Sequence, residues 1–286
     1  MRGGVRRALA WARRSVADGP QAERLLLDAE RILCHLLGLG RADLYTDPNL
    51  SLSSADEAAF RAMFGRRLSG EPLQYLLGTE WFGSHELLVD PRVLIPRPET
   101  YLLIETALGL IDTSSGPCVV DLGCGSGNIA LCLAVSGCRV LATDISPEAL
   151  AVAGDNWLRA GVADRIVSAC GDLYDALAGL ARPGELDAIV SNPPYIKSVN
   201  LPSLQREVRF EPRLALDGGP DGLALVRRLV AGAAEWLRVG GHLVFEIGAG
   251  QADEAAAVVR ATPGIGLLSI KRDDAGIERV VCAVRT

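Results

Sequence analysis

In the first quarter of the chain, apolar residues recur at helical spacing. Val5, Ala8, Leu9, Ala12 and Val16 share one face, and Ala22, Leu25, Leu26, Ala29, Ile32, Leu33 and Leu36 share another before Gly38 stops the run. Ser54-Ala-Asp-Glu57 has the form of a capping box, and the helix it opens carries Phe60, Met63, Phe64 and Leu68 inward. The pattern predicts a small helical bundle over residues 1–78. Between 79 and 98 it changes to short strand-like pieces, Glu86–Asp90 and Arg92–Ile95, closed by Pro96 and Pro98, which predict a hairpin connector.

From 99 to 286, apolar strands alternate with helical stretches. The strands are Cys118–Asp121, Arg139–Asp144, Ile166–Cys170, Leu186–Ser191 and His242–Ile247. Helices are expected from Asn128, from Pro147 behind a Ser146 cap, near Gly222–Leu237 and over Gln251–Arg260. Leu267–Ile270 and Arg279–Val284 flank an Asp-Asp-Ala-Gly turn and read as a closing antiparallel hairpin. Such alternation predicts an α/β domain with a doubly wound, mainly parallel seven-stranded sheet and helices on both faces.

Composition narrows the function classes. With 286 residues, 49% of them hydrophobic, the chain can bury a full core. A net charge of −6 argues against affinity drawn mainly from nucleic-acid phosphates. The seven cysteines include no Cys-x-x-Cys pair, and three scattered histidines offer no ligand spacing, so no metal is expected. No long apolar segment opens the chain, and a reducing cytoplasm suits the unpaired cysteines.

Two loops carry the chemistry. Asp121-Leu-Gly123-Cys124-Gly125-Ser126-Gly127-Asn128 lies between a buried strand and a helix, where glycines let a ligand rest on bare main chain. Its Gly-x-Gly-x-Gly spacing differs from the dinucleotide form and suits S-adenosyl-L-methionine. Asp144, ending the next strand, is placed to accept both ribose hydroxyls, and Asp172 with Leu173 is placed for the adenine. The second loop, Ser191-Asn192-Pro193-Pro194-Tyr195, follows the fourth strand. Its prolines fix an extended chain without backbone donors, so the Asn192 side-chain oxygen and the Pro193 carbonyl can accept both hydrogens of an NH2 group while the Tyr195 ring covers it. An amide nitrogen is a poor nucleophile because its lone pair is delocalised. Acceptors on its hydrogens return density to nitrogen and aim it at the methyl group.

These motifs, with Glu71-Pro-Leu-Gln-Tyr75, Leu94-Ile-Pro-Arg-Pro-Glu-Thr100, Val208-Arg-Phe-Glu-Pro212 and Leu216-Asp-Gly-Gly-Pro-Asp-Gly222, extend over almost the whole chain. Together they resemble the HemK or PrmC family, the N5-glutamine methyltransferases of peptide chain release factors. The resemblance implies a Rossmann-like methyltransferase domain and a protein-glutamine substrate in the Gly-Gly-Gln motif of class 1 release factors, whose methylation modulates translation termination. It implies that the bundle helps dock the release factor. It also implies that Asn192, Pro193, Pro194 and Tyr195 bind the substrate amide, with Asn192 also at the cofactor, and that Arg97, Glu99 and Thr100 contribute to the cofactor site. Two positions depart from the family: Tyr101 stands where an acid is usual, and Ile277 where a polar residue is common. Three alternatives remain open. Adenine N6 methylation is disfavoured by the acidic charge and 5% aromatic content. The others are methylation of a ribosomal-protein glutamine, and a non-catalytic binding factor on the same fold.

Overall fold

The computed structural model describes residues 4–47 and 50–286, so the first three residues of the expected bundle, and Pro48 and Asn49, lie outside the described residues. Two compact units are present. One runs to Gly78 and takes in Gln205–Phe210; the other comprises Thr79–Leu204 and Glu211–Thr286.

The first unit contains α1 (Gly4–Ser15), α2 (Ala22–Leu37), α3 (Asp43–Thr46), α4 (Ser54–Leu68) and α5 (Leu73–Leu77). The stripes seen in the sequence converge, with Val5, Ala8 and Ala12 of α1 meeting Ala29, Ile32 and Leu33 of α2 and Phe60 and Phe64 of α4. Phe60 and Phe64 stack at 5.8 Å, and Trp11 meets their edges. Helix α4 begins one residue earlier in its capping than the spacing suggested: Ser53, not Ser54, is the cap, extended at φ −64° and accepting from Asp56 N at 3.0 Å. Arg67, with a side chain 3% exposed, pairs with Asp28 at 2.7 Å and with Glu207. The pairing supplies charge partners that a buried guanidinium requires and fastens Gln205–Phe210 into this unit.

The second unit opens with the hairpin β1 (Thr79–Phe82) and β2 (His85–Leu88), which pair antiparallel. The expected second strand, Arg92–Ile95, is not one. Asp90 Oδ1 accepts from Arg92 N at 2.9 Å and Asp90 O from Val93 N at 3.1 Å, a turn that takes the segment out of extended pairing. There follow α6 (Thr100–Leu110), β3 (Cys118–Leu122), α7 (Asn128–Val135), β4 (Arg139–Asp144), α8 (Pro147–Ala160), β5 (Ile166–Cys170), β6 (Leu186–Ser191), α9 (Ala224–Trp236), β7 (Leu237–Glu246), α10 (Ala252–Arg260), β8 (Ile265–Arg272) and β9 (Glu278–Arg285). They build the expected seven-stranded sheet, in the order β5-β4-β3-β6-β7-β9-β8. All neighbours from β5 to β7 are parallel, and β9 runs antiparallel to both β7 and β8.

Alternation along the strands divides the interior. Val119, Val140, Val190 and Val244 face one core with α6, α7 and α8, while Val120, Leu141, Ile189 and Leu243 face another with α9 and α10. The order reverses at β3, which has β4 on one side and β6 on the other. At such a switch point the connections leave in opposite directions and open a crevice beyond the carboxyl ends of the strands.

Candidate active site

The loop after β3 is shaped by its backbone. Gly123, Gly125 and Gly127 have φ of 78°, 53° and 80°, the left-handed region that side chains disfavour. Both Gly123 N and Cys124 N donate to Thr143 O at 2.8 Å. Gly127 is the N-cap of α7 and has no side chain to accept from the helix, so Asp121 does so from β3, its Oδ2 taking Ala130 N at 3.0 Å. Burial pushes the Asp121 carboxyl up to about 8, against the opposing hydrogen bond from Ala130. Its Oδ1 meets no partner among the described residues.

Asp144 ties this loop to the next. Its Oδ2 accepts from Gly125 N at 2.8 Å and its Oδ1 from Ser146 N at 2.9 Å. Ser146 caps α8 by accepting from Ala149 N at 3.1 Å, which leaves Asp144 free of a capping duty. Burial raises its carboxyl, while hydrogen bonds from Ser146, Gly125 and Ile145 hold it down. Beyond β5, Asp172 pairs with Arg228 at 2.9 Å. Leu173 follows at φ 50°, the single non-glycine residue with positive φ among those described. A leucine held there stores strain of about 1–3 kcal/mol, a feature that clusters at binding sites.

The loop after β6 is held by side chains from elsewhere. Ser191 Oγ donates to Leu122 O at 2.7 Å, joining the two loops at their roots. Asn192 Nδ2 donates to Thr100 Oγ1 at 3.1 Å, and that hydroxyl donates to Glu246 Oε2 at 2.8 Å. Tyr195 OH donates to the other oxygen, Glu246 Oε1, at 3.3 Å. Gln251 Nε2 donates to Tyr195 O at 3.0 Å. The backbone of Pro194 and Tyr195 lies so close to Gly218 and Gly222 that a Cβ on either would stand 2.7 Å from Pro194 O or 2.4 Å from Tyr195 O. At the far side of the cleft, Glu211 binds Ile95 N at 3.1 Å and pairs with Arg97, fixing the segment before α6.

These elements enclose a cleft of about 290 Å³ within the second unit. Its wall brings together Gly123, Cys124, Gly125, Ser126, Asp144, Asp172, Leu173, Asn192, Pro193, Pro194, Arg97 and Thr100. Gly127, Glu99 and Tyr195 are not in it. Gly127 packs beneath, with Trp157 Nε1 donating to its carbonyl at 3.0 Å; Glu99 is the N-cap of α6; Tyr195 lines a neighbouring depression with Gly248 and Gln251. Sequence reasoning missed Glu211 and Glu246. The first sits inside the Val-Arg-Phe-Glu-Pro motif, and the second ends a strand at the same sheet edge as Asp144, which are the signals that point to them.

Comparison with known proteins adds an independent line. Residues 7–78 match the family model of the PrmC N-terminal domain, and residues 100–206 that of the methyltransferase small domain. A release factor glutamine methyltransferase of Moorella thermoacetica is 43% identical over 283 residues, covering 98% of each chain. That of Bordetella pertussis is 44% identical, over 89% of this chain and 93% of its own. That of Geobacter sulfurreducens is 40% identical, over 97% and 95%.

Proposed function

This chain belongs to the release factor glutamine methyltransferase family, and from that premise we propose that it methylates the side-chain amide nitrogen, N5, of the glutamine in the Gly-Gly-Gln motif of class 1 peptide chain release factors. It is an S-adenosyl-L-methionine-dependent methyltransferase. The cleft fits that donor. Both Asp144 oxygens accept backbone N–H groups, and the carboxylate, with about four acceptor sites, keeps capacity for the ribose hydroxyls; the glycine loop offers main chain without side chains, and Leu173 supplies an apolar wall for a base.

The observation that carries the reading is the presence of Asn192 and Pro193 in one wall with the glycine loop and Asp144. When bound, the cofactor supplies an electrophilic methyl group. The chain's own part is positioning and electrostatics. Asn192 Oδ1 and Pro193 O accept the two amide hydrogens, which raises electron density on the nitrogen and holds its lone pair toward the donor. Pro193 and Pro194 keep the loop from relaxing, and the departing amide proton passes to water. With its hydroxyl on Glu246, Tyr195 supports the loop from behind and borders the substrate's approach.

The helical unit, residues 1–78, serves in this reading as a docking surface for the release factor. A substrate that works in translation supports a cytoplasmic site of action for the enzyme in this reading; among the described residues no helix is long and apolar enough to cross a membrane. The test is methyl transfer from labelled cofactor to a purified class 1 release factor, to the same factor with its Gly-Gly-Gln glutamine replaced, and to DNA. Label on the intact factor alone is the expected result. Label on DNA, or equal label on the factor lacking that glutamine, overturns the reading.

A further inference from the structure

We propose that Glu246, acting through Thr100, sets the Asn192 amide in its accepting orientation and is therefore a positioning residue for methyl transfer; the proposal rests on the role of Asn192 given above. The two ends of an asparagine amide are nearly equal in shape and opposite in function. Only the orientation that presents Oδ1 to the substrate NH2 helps the reaction, since the other sets donors against donors.

The hydroxyl of Thr100 decides between them. It owns one hydrogen and lies 2.8 Å from Glu246 Oε2 and 3.1 Å from Asn192 Nδ2. An ionised carboxylate only accepts, so the hydrogen goes to Glu246 and the Thr100 oxygen must accept from Asn192. That requires Nδ2 on the Thr100 side and leaves Oδ1 for the substrate; among the described residues Oδ1 meets no donor. The same carboxylate takes Tyr195 OH on its other oxygen, so one group, 1% exposed at the end of β7, holds both ends of Asn-Pro-Pro-Tyr.

The device depends on charge. Burial raises the Glu246 carboxyl; hydrogen bonds from Thr100 and Tyr195 and the Arg279 guanidinium on β9 hold it down, and Glu99 before α6 adds repulsion. Once protonated, Glu246 has a hydrogen to give to Thr100. The Thr100 hydrogen then turns toward Asn192, where it is matched by Oδ1, and the amide inverts. Loss of turnover as pH falls through this titration is the consequence. Glu246→Gln removes the titration and, with its oxygen kept on Tyr195 OH, sets an NH2 toward Thr100 and favours the inverted state at every pH.

The experiment compares full-length wild type, Glu246→Gln, Thr100→Val and Thr100→Ser. It measures kcat and KM on release factor, S-adenosylhomocysteine affinity by calorimetry, and the Asn192 side-chain amide resonance against pH. Glu246→Gln and Thr100→Val are expected to lose roughly 100-fold in kcat, with KM held within about threefold in both and S-adenosylhomocysteine Kd held to the same limit in Glu246→Gln. Thr100→Ser, which restores the hydroxyl, should recover turnover. The wild-type Asn192 resonance should titrate together with the low-pH limb of kcat, and that titration should vanish in Glu246→Gln. A kcat for Glu246→Gln near wild type, equal losses in Thr100→Ser and Thr100→Val, or an Asn192 resonance indifferent to Glu246 overturns the proposal. Should Glu246→Gln fail to fold, the Thr100 pair and the wild-type titration decide. A wild-type enzyme inactive on release factor instead condemns the functional reading, and the resonance still reports on the switch.

Discussion

The loops after β3 and β6 border the same cleft, yet they are held by opposite means. The first owes its form to left-handed glycines and to contacts with Thr143 and Asp144 on the adjacent strand, about a score of residues along the chain. The second owes its form to Thr100, Glu246 and Gln251, which lie 92, 51 and 56 residues from the loop positions they reach. A loop that must cradle a common cofactor can be written locally in backbone. One that must orient a single amide to within a hydrogen bond draws side chains from several elements, because only converging partners fix a rotamer and an amide face together. On this comparison, changes in the first loop should cost affinity and changes in the second should cost turnover.

The largest effect tests that division directly. Asn192→Ala removes the side-chain acceptor, and kcat on release factor should fall about 1,000-fold, the upper range for deleting one preorganised hydrogen-bonding group. S-adenosylhomocysteine Kd, measured by calorimetry, should stay within about threefold. A parallel collapse of cofactor affinity would break the comparison, since it would make the two loops one structural unit. Gly222→Ala comes next. Its φ of 80° is unfavourable for alanine, and the added Cβ would stand 2.4 Å from Tyr195 O. A destabilisation of about 3 kcal/mol is expected from the clash and the strain together. Thermal unfolding would show it, with turnover falling faster than cofactor binding.

The contrast also explains what the sequence made legible. Helical stripes, strand alternation, the glycine loop and the Asn-Pro-Pro-Tyr stretch are local patterns, and each lies where its periodicity or turn chemistry put it. Long-range pairings left no such trace. The partner of His85–Leu88 proved to be Thr79–Phe82 because Asp90 folds the following residues into a turn. Tyr195 is expected from sequence to cover the substrate amide, but nothing near it in the chain announces that its hydroxyl meets a carboxylate on β7. Nothing within Gln205–Phe210 announces that Glu207 will meet Arg67, a residue 140 positions away. A cap is local in kind yet ambiguous between adjacent serines, and only the extended backbone of Ser53 selects it.

A smaller effect is expected at Asp144, in the locally built half of the site. Asn in its place puts an NH2 against a backbone N–H that now finds an acceptor, at either Gly125 or Ser146. Cofactor affinity should weaken by about tenfold, near 1.4 kcal/mol, with kcat at saturating cofactor little changed. Because burial raises the Asp144 carboxyl, wild-type affinity should also decline as pH falls toward its titration, and Asp144→Asn should abolish that limb. A change confined to kcat would reverse the division between the loops.

The smallest expected effect concerns stability rather than either ligand. Asp121 caps α7 for a glycine that cannot, and does so fully buried, with one oxygen that meets no partner among the described residues. Its carboxyl is pushed up from an ordinary 3.8 to about 8 in the folded protein. The folded state therefore holds the proton more tightly than the unfolded one. The resulting stabilisation is complete below the ordinary value and is lost as pH rises through about 8. Asp144 and Glu246, both raised, tilt stability in the same direction, so wild type alone does not isolate Asp121. Asp121→Asn does, for its side-chain oxygen still accepts from Ala130 N while the titration disappears. Apo enzyme should unfold at a Tm that falls with pH more steeply in wild type than in Asp121→Asn, the two profiles diverging as pH rises toward about 8. Parallel Tm profiles would mean that the carboxyl stays ionised beneath the glycine loop, and that a charge, as well as backbone, helps to shape it.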